Sequence, residues 1–355
     1  MKKFLSFVLL ILLIPCMFFI GGCGCSPKSS KTFIYQKTTD GKYIYFGEYP
    51  QSIKPKNVKI VDKIDGKENY FKGSDGAVYY KHTVNIDFEK TMYESEDNFL
   101  TAGLNKFNDG TSFYQDETLY FKVEKLKWRI IKTEGTKTLI VCDNIINTSV
   151  FLPDYFSKTE GVIDEKSVTM YYGRDEEGNG TKRLANDYYC SSLEKFMNQS
   201  FYNAAFSTQQ KKLIQDSNMT TECDWRGYSL EMIDERNYVE GKYSKYSTKL
   251  FPLSKTEITN HFVGDKRLWG VTDFSIANGC FFVSEYVLES FPEEEREMYL
   301  PYKDSGMFWS RTAFNYTSTY NGGVGSCVGQ SVMDTFERLQ VDYISGVLPA
   351  LYISL

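Results

Sequence analysis

Two side chains in the run Phe308-Trp309-Ser310-Arg311-Thr312 have the chemistry to bind a sugar. The run alternates as a strand does, which sends Trp309 and Arg311 to one face and Ser310 to the other. An indole plate beside a guanidinium can stack a sugar ring and hydrogen-bond its hydroxyls. Asn315, Tyr316 and Tyr320 follow closely enough to add flexible polar groups. The alternative is structural, with Trp309 in the core and Arg311 satisfying buried carbonyls of a neighbouring strand. A second stretch, Asp175-Glu176-Glu177-Gly178-Asn179-Gly180-Thr181, resembles the start of an EF-hand-type calcium loop, with Asp175, Glu177, Asn179 and Thr181 as oxygen donors and glycine at the sixth position. Its twelfth position is Asn186 in place of a bidentate glutamate, so calcium would find about four protein oxygens where it takes six to eight. An acidic surface turn fits the same residues, and no other cofactor is implied.

Catalytic patterns are scarce. The chain has no Gly-x-Ser-x-Gly elbow, no His-Glu-x-x-His helix and no phosphate-cradling glycine loop. Its two histidines, His82 and His261, leave few ways to build a metal site or a cysteine–histidine pair. Cys25, Cys142, Cys190, Cys223, Cys280 and Cys327 are scattered without metal-ligand spacing, and they fit one or two disulfides or buried thiols equally well. Cys280 and Cys327 have no cationic or histidine context to mark either as a thiolate. Carboxylate pairs count only by their separation in space, since any two of 46 acidic residues can be named.

The first 23 residues carry an address. Lys2 and Lys3 precede an apolar run from Phe4 to Ile20, and Ile20-Gly21-Gly22-Cys23 resembles a bacterial lipobox. Gly21 and Gly22 let a signal peptidase close on the backbone, and the Cys23 thiol is the nucleophile there that can take a diacylglyceryl group. A transmembrane anchor or a plain secretory signal are the alternatives. Pro15 and the Gly-Gly-Cys ending argue against the anchor. Residues 1–22 are thus expected to be removed and 23–41 to form a lipidated tether on the extracytoplasmic face of the membrane. Losing Lys2 and Lys3 takes the formal charge from −5 to −7. An acidic chain without a Lys/Arg block has no footprint for nucleic acid and is expected to be repelled by anionic lipid or cell-wall polymer. The lipid is expected to do the anchoring.

The elements that must position these groups are local in origin. Strand-like runs occur at Lys42–Phe46, Leu119–Val123, Trp128–Lys132, Thr138–Cys142 and Leu348–Ile353. Ser191-Ser192-Leu193-Glu194, Ser207-Thr208-Gln209-Gln210 and Ser254-Lys255-Thr256-Glu257 are capping boxes that start helices. Leu193, Phe196, Met197 and Phe201 form the buried stripe of the first. The stretches 57–115 and 265–306 look like insertions, the second carrying Glu293-Glu294-Glu295. With no repeat and no long linker, residues 42–355 are expected to form a single α+β domain. Its 27 tyrosines and 26 phenylalanines exceed what a core needs, which favours an aromatic binding surface.

Several segments carry a resemblance to family 6273 of domains of unknown function. They are Tyr43–Ser52, Tyr120–Glu124 leading to Lys127–Ile130, Phe201–Ser207, Phe251–Glu257, Phe308–Thr312 and Gly346–Leu351. The resemblance implies a secreted or surface protein of Gram-positive bacteria. Three places depart from the family's usual pattern: Trp-Leu-Arg-Ser is Trp309-Ser310-Arg311-Thr312, Gly-Val-Arg-Pro-Ala-Leu has Leu348 for arginine, and Ser-x-x-Arg-x-Trp-Leu-Asn reads Ser191 to Asn198 with Glu194 and Phe196. The ending is also similar to C-type-lectin-like and formylglycine-generating-enzyme folds. The function these readings imply is a membrane-anchored, non-catalytic ligand-binding domain, first for carbohydrate or cell-wall fragments, second for a protein partner, and third a metal-independent hydrolase.

Overall fold

Two strand-like runs join to build the longest element. Leu119–Val123 and Trp128–Lys132 belong to one 17-residue strand, Thr118–Glu134, in the computed structural model, which describes residues 33–153, 155–163, 166–174, 180–189, 191–224, 244–314, 325–331 and 335–355. This strand pairs antiparallel with Tyr43–Ile53, with Val78–Thr83 and with Lys137–Cys142. Continuity across Lys125-Leu126-Lys127 depends on a bulge in its neighbour. Phe46 and Gly47 together stand opposite Leu126, because Tyr45 pairs with Lys127 and Glu48 with Lys125. Gly47 takes φ +80°, and a Cβ there would come within 2.8 Å of the Phe206 ring.

The ten-stranded main sheet runs in the order Ile214–Gln215, Ala350–Ser354, Lys137–Cys142, Thr118–Glu134, Val78–Thr83, Tyr70–Gly73, Ile60–Lys63. Tyr43–Ile53, Gln36–Lys37 and Leu250–Phe251 join it off that path. A six-stranded sheet holds Thr335–Gln340, Gly325–Ser331, Phe308–Phe314, Ile344–Val347 and Asn147–Val150, with Glu222–Asp224 parallel to Phe308–Phe314. One two-stranded ribbon links the sheets. Val347 pairs with Asn147 in the second sheet and Ala350 with Val141 in the first. Between them the Cys142 N–H donates to the Pro349 carbonyl at 2.9 Å. Pro349 has no N–H to give a ladder, so the last strand begins at Ala350 and not at Leu348.

Residues 57–115, expected as an insertion, are built into the main sheet and the core. Ile60–Lys63, Tyr70–Gly73 and Val78–Thr83 form a meander that extends the main sheet, held by edge-to-face pairs Tyr70–Tyr80 at 5.2 Å and Phe71–Tyr120 at 5.5 Å. Phe99, Leu104, Phe107 and Phe113 then enter the core. The stretch 265–306 is interior only in its first part: the helix Asp273–Ile276 is buried throughout and Glu285–Ser290 buries Val287 and Leu288, whereas Glu293–Tyr299 buries none of its residues. The Asp273 carboxylate ties these parts together, accepting from the Ile53 N–H at 2.8 Å and from the Asn108 N–H and Nδ2 at 3.1 and 2.9 Å. Burial holds its pKa above the ordinary carboxylate value against those hydrogen bonds. The expected tether is also partly folded, since Gln36–Lys37 pair with Tyr45 and Ile44; Ile34–Leu355 pack as one unit. The fold is α+β.

Local helix signals act as their chemistry dictates. Both bonds of the capping box form at Ser207 and at Ser254. Ser191 accepts from the Glu194 N–H, but its own N–H donates to the Tyr188 carbonyl, so that box is half formed. Leu193, Met197 and Phe201 are buried at spacings of four, with Phe196 half-buried. The helix keeps them on one side by widening to a π-helical turn over Phe196–Phe201. No helix among the described residues is long and apolar enough to cross a membrane.

Candidate functional site

Phe308–Phe314 is a strand, as its alternation requires, but it is flanked by Gly325–Ser331, Ile344–Val347 and Glu222–Asp224. Both of its faces are covered. Trp309 is 0 % exposed and Arg311 8 %, which corrects the expectation of a stacking plate and hydrogen-bond fork open to a sugar. The Trp309 indole packs edge-on against Phe151 at 5.4 Å and donates its Nε1–H to the Ser149 carbonyl at 2.7 Å. Arg311 donates through Nη1 to the Pro252 carbonyl at 3.1 Å and through both Nη atoms to the Glu257 carboxylate. Burial alone would disfavour the charge, but the Glu257 bonds outweigh it and raise the Arg311 pKa above its ordinary value.

Glu257 holds two positions at once. Its Oε2 accepts from the Ser254 N–H in the capping box at 2.9 Å while the same carboxylate grips Arg311. Thr312 Oγ1 accepts from the Lys255 N–H at 2.8 Å, and the Arg311 N–H reaches the Leu253 carbonyl at 3.2 Å. Glu222 adds an oxygen that takes both the Thr256 hydroxyl, at 2.8 Å, and its N–H. The segments Phe251–Glu257 and Phe308–Thr312 thus meet as one polar junction in the interior. Asn198 does similar work nearby: its Oδ1 accepts from the Lys249 and Leu250 N–H groups and its Nδ2 donates to the Leu250 carbonyl. Arg311 Nε and the Tyr246 hydroxyl are buried at this junction without a partner.

The other expected site residues are placed as follows. Cys23, Asp175, Glu177, Asn179, Asn315, Tyr316 and Tyr320 lie outside the described residues. Thr181 is in the strand Gly180–Leu184. Among the described residues no group of three His, Cys, Asp or Glu could hold a metal ion. Cys142 and Cys280 are free and buried, and burial pushes both thiols up to about 12, so neither is a thiolate at neutral pH. Asp187, which sequence reasoning missed, is buried and accepts from Thr221 Oγ1 at 2.6 Å and from the Ser244 N–H at 2.9 Å. Its carboxylate is occupied in holding backbone, as those of Glu257 and Asp273 are. Trp128 and Trp269 are also fully buried, and Trp225 lies outside the described residues.

The interior junction lies within a stretch that a family model matches. The pattern of the Domain of unknown function (DUF6273) matches residues 136–355. The chain belongs to that family. No curated protein and no solved structure matches it. The DUF6273 stretch contains Asn198, Glu222, Glu257, Arg311 and Asp273; the motif-like segments Tyr43–Ser52 and Tyr120–Ile130 lie before it. Those earlier strands nevertheless bond directly to the family stretch, as Tyr43–Ile53 does through Asp273 and through Tyr49, whose hydroxyl accepts from Asn147 Nδ2 at 3.0 Å. Leu348 is buried.

Proposed function

We propose that this DUF6273 chain is a membrane-anchored binding domain on the extracytoplasmic face, held by lipid on Cys23, and that its ligand is a protein. The reading involves no catalytic step, cofactor or nucleic acid. One observation carries the choice of ligand. The helix Glu293–Tyr299 buries none of its residues, and Met298 within it and Leu300 just after it are 44 % and 56 % exposed beside the stacked pair Phe291–Tyr299 at 4.5 Å. Met92 is exposed next to Tyr93, whose hydroxyl is pushed up to about 12 by burial and by Tyr299. Ordering a helix costs conformational entropy that the core does not return here, and an exposed apolar patch rimmed by Glu293, Glu294 and Glu295 suits a protein surface. A photo-crosslinker at Leu300 should give a discrete protein adduct on cells that Met298→Glu removes. Labelling no stronger than at the exposed strand residue Asp62 would dismiss this reading.

A carbohydrate or cell-wall fragment is the second reading. It is favoured by Phe71 and Tyr120, half-exposed and edge to face on the meander, with Lys81 opposite Tyr120 in register. Loss of peptidoglycan binding in Tyr120→Ala, with the Leu300 adduct absent, would select it. The anchor is tested separately: Cys23→Ser should abolish lipid labelling, and normal labelling of that variant would place the lipid elsewhere.

A further inference from the structure

The point where the folded unit begins is basic, although the chain as a whole is acidic. Gln210 Nε2 donates to the Ile34 carbonyl at 2.8 Å, which lays the start of the unit against the helix Thr208–Lys211. Gln36–Lys37 is an exposed edge strand paired to Tyr43–Ile53, and a tight turn returns the chain at Lys42. Lys211 and Lys212 lie at the Ile34 end of this hairpin, Lys37 stands along it and Lys42 at its turn, so the four line one edge of the unit. Ile34 and Tyr35 are exposed among them, 39 % and 42 %, and the Lys211 ammonium sits over the Tyr202 ring at 4.8 Å. Two acids lie nearby: Asp40, which keeps its charge while accepting from the Thr38 hydroxyl and the Lys42 N–H within the turn, and Asp216, which pairs with Lys249; four lysines outnumber them.

We infer that this face docks on an anionic bilayer, with the four lysines at the headgroups and Ile34 and Tyr35 at the interface. The inference rests on the reading of Cys23 as the lipid-bearing residue. Nine residues separate Cys23 from Phe33, a span of at most about 35 Å whatever their conformation. The face is thus held at the membrane by its own chain, and contact becomes intramolecular, so weak attraction suffices. Each lysine within reach of an anionic surface contributes roughly fivefold in the docked population. Negative charge elsewhere on the molecule is repelled by the same surface, which selects this side over the others.

The test is amide hydrogen exchange of the full chain on phosphatidylglycerol vesicles and on phosphatidylcholine vesicles. Peptides covering 34–42 and 208–212 should exchange several-fold more slowly on phosphatidylglycerol. That difference should vanish in the variant K37E/K42E/K211E/K212E, and in the unaltered protein at about 0.5 M salt, where screening shortens the reach of charge to a few ångströms. Equal exchange on the two lipids, or protection that survives both charge reversal and salt, overturns the inference. The acyl mass on the peptide containing Cys23 is read from the same digest. An acylated protein without the lipid-dependent protection refutes the face alone, whereas protection without acylation upholds the face and refutes the anchor.

Discussion

Two arginines show how differently two regions of this molecule are built. Arg311 is enclosed, with its fork on Glu257 and Pro252, and it fixes a strand against a helix start. Arg296 lies on the surface helix Glu293–Tyr299 and donates to the carbonyls of Leu288, Glu289 and Phe291, closing off the end of the helix Glu285–Ser290. The first arrangement makes the interior rigid by pairing motifs; the second holds a helix in place while leaving its apolar residues in solvent. Motif-rich sequence in this chain therefore marks the parts that position one another. The exposed helix Glu293–Tyr299 carries no motif.

The sharpest way to break this comparison is to truncate the interior. Trp309→Ala removes a fully buried indole with a satisfied N–H and should cost about 3–5 kcal/mol of stability by chemical denaturation. A loss under about 1 kcal/mol would mean that the strand is not core and would reopen the sugar face. Next in size is Glu257→Gln, which strips the charge from the partner of a buried guanidinium. Glu257 is a quarter exposed, so the cost should fall near or below the low end of the range for a broken buried pair, about 2–3 kcal/mol. The double variant Glu257→Gln/Arg311→Met should lose less than the sum of the two single changes, because the second removes the charge stranded by the first. Additive losses would show that the pair is not coupled.

A smaller effect separates the meander from the rest through pH. Burial against Phe121 and Phe274 lowers the His82 pKa, and its Nε2 is without a partner. The unfolded chain therefore binds a proton near pH 6.5 that the folded chain resists. Stability should fall as the pH drops below that value, and His82→Phe should flatten this part of the profile. An unchanged acid slope in that variant would show that His82 is not protected from protonation.

How much of this was legible depends on how far apart the deciding atoms lie. The capping boxes at Ser207 and Ser254 could be read because donor and acceptor are three residues apart. Thr138–Cys142 could be read from its β-branched run. The fusion of two runs into Thr118–Glu134 could not, since it depends on Gly47 bulging against Phe206. Nor could the burial of Trp309 be chosen over exposure: strand alternation tells which residues share a face and not whether both faces are covered. Arg311 and Glu257 stood in two recognised segments, yet opposite charges 54 positions apart predict no contact. The meander of 57–115 was hidden by its Asp, Gly and Asn content, which signals turns more loudly than its tyrosines signal strands. Asp187 and Asp273 gave no signal, because nothing local distinguishes a carboxylate that will hold a distant backbone.

The smallest expected effect is the one that bears on function. Met298→Ser and Leu300→Ser alter side chains that the core does not use, so stability should stay within about 0.5 kcal/mol of the unaltered protein. The same pair of changes removes the apolar patch on which the proposed protein partner depends, so partner binding should be lost while the denaturation midpoint holds. Arg296 is left in place, and with it the bonds that seat the helix, so a loss of binding would report on the patch and not on the helix position. If stability falls by more than about 1 kcal/mol, Met298 and Leu300 are packed in solution, and the contrast between a committed interior and a free surface helix fails at that point.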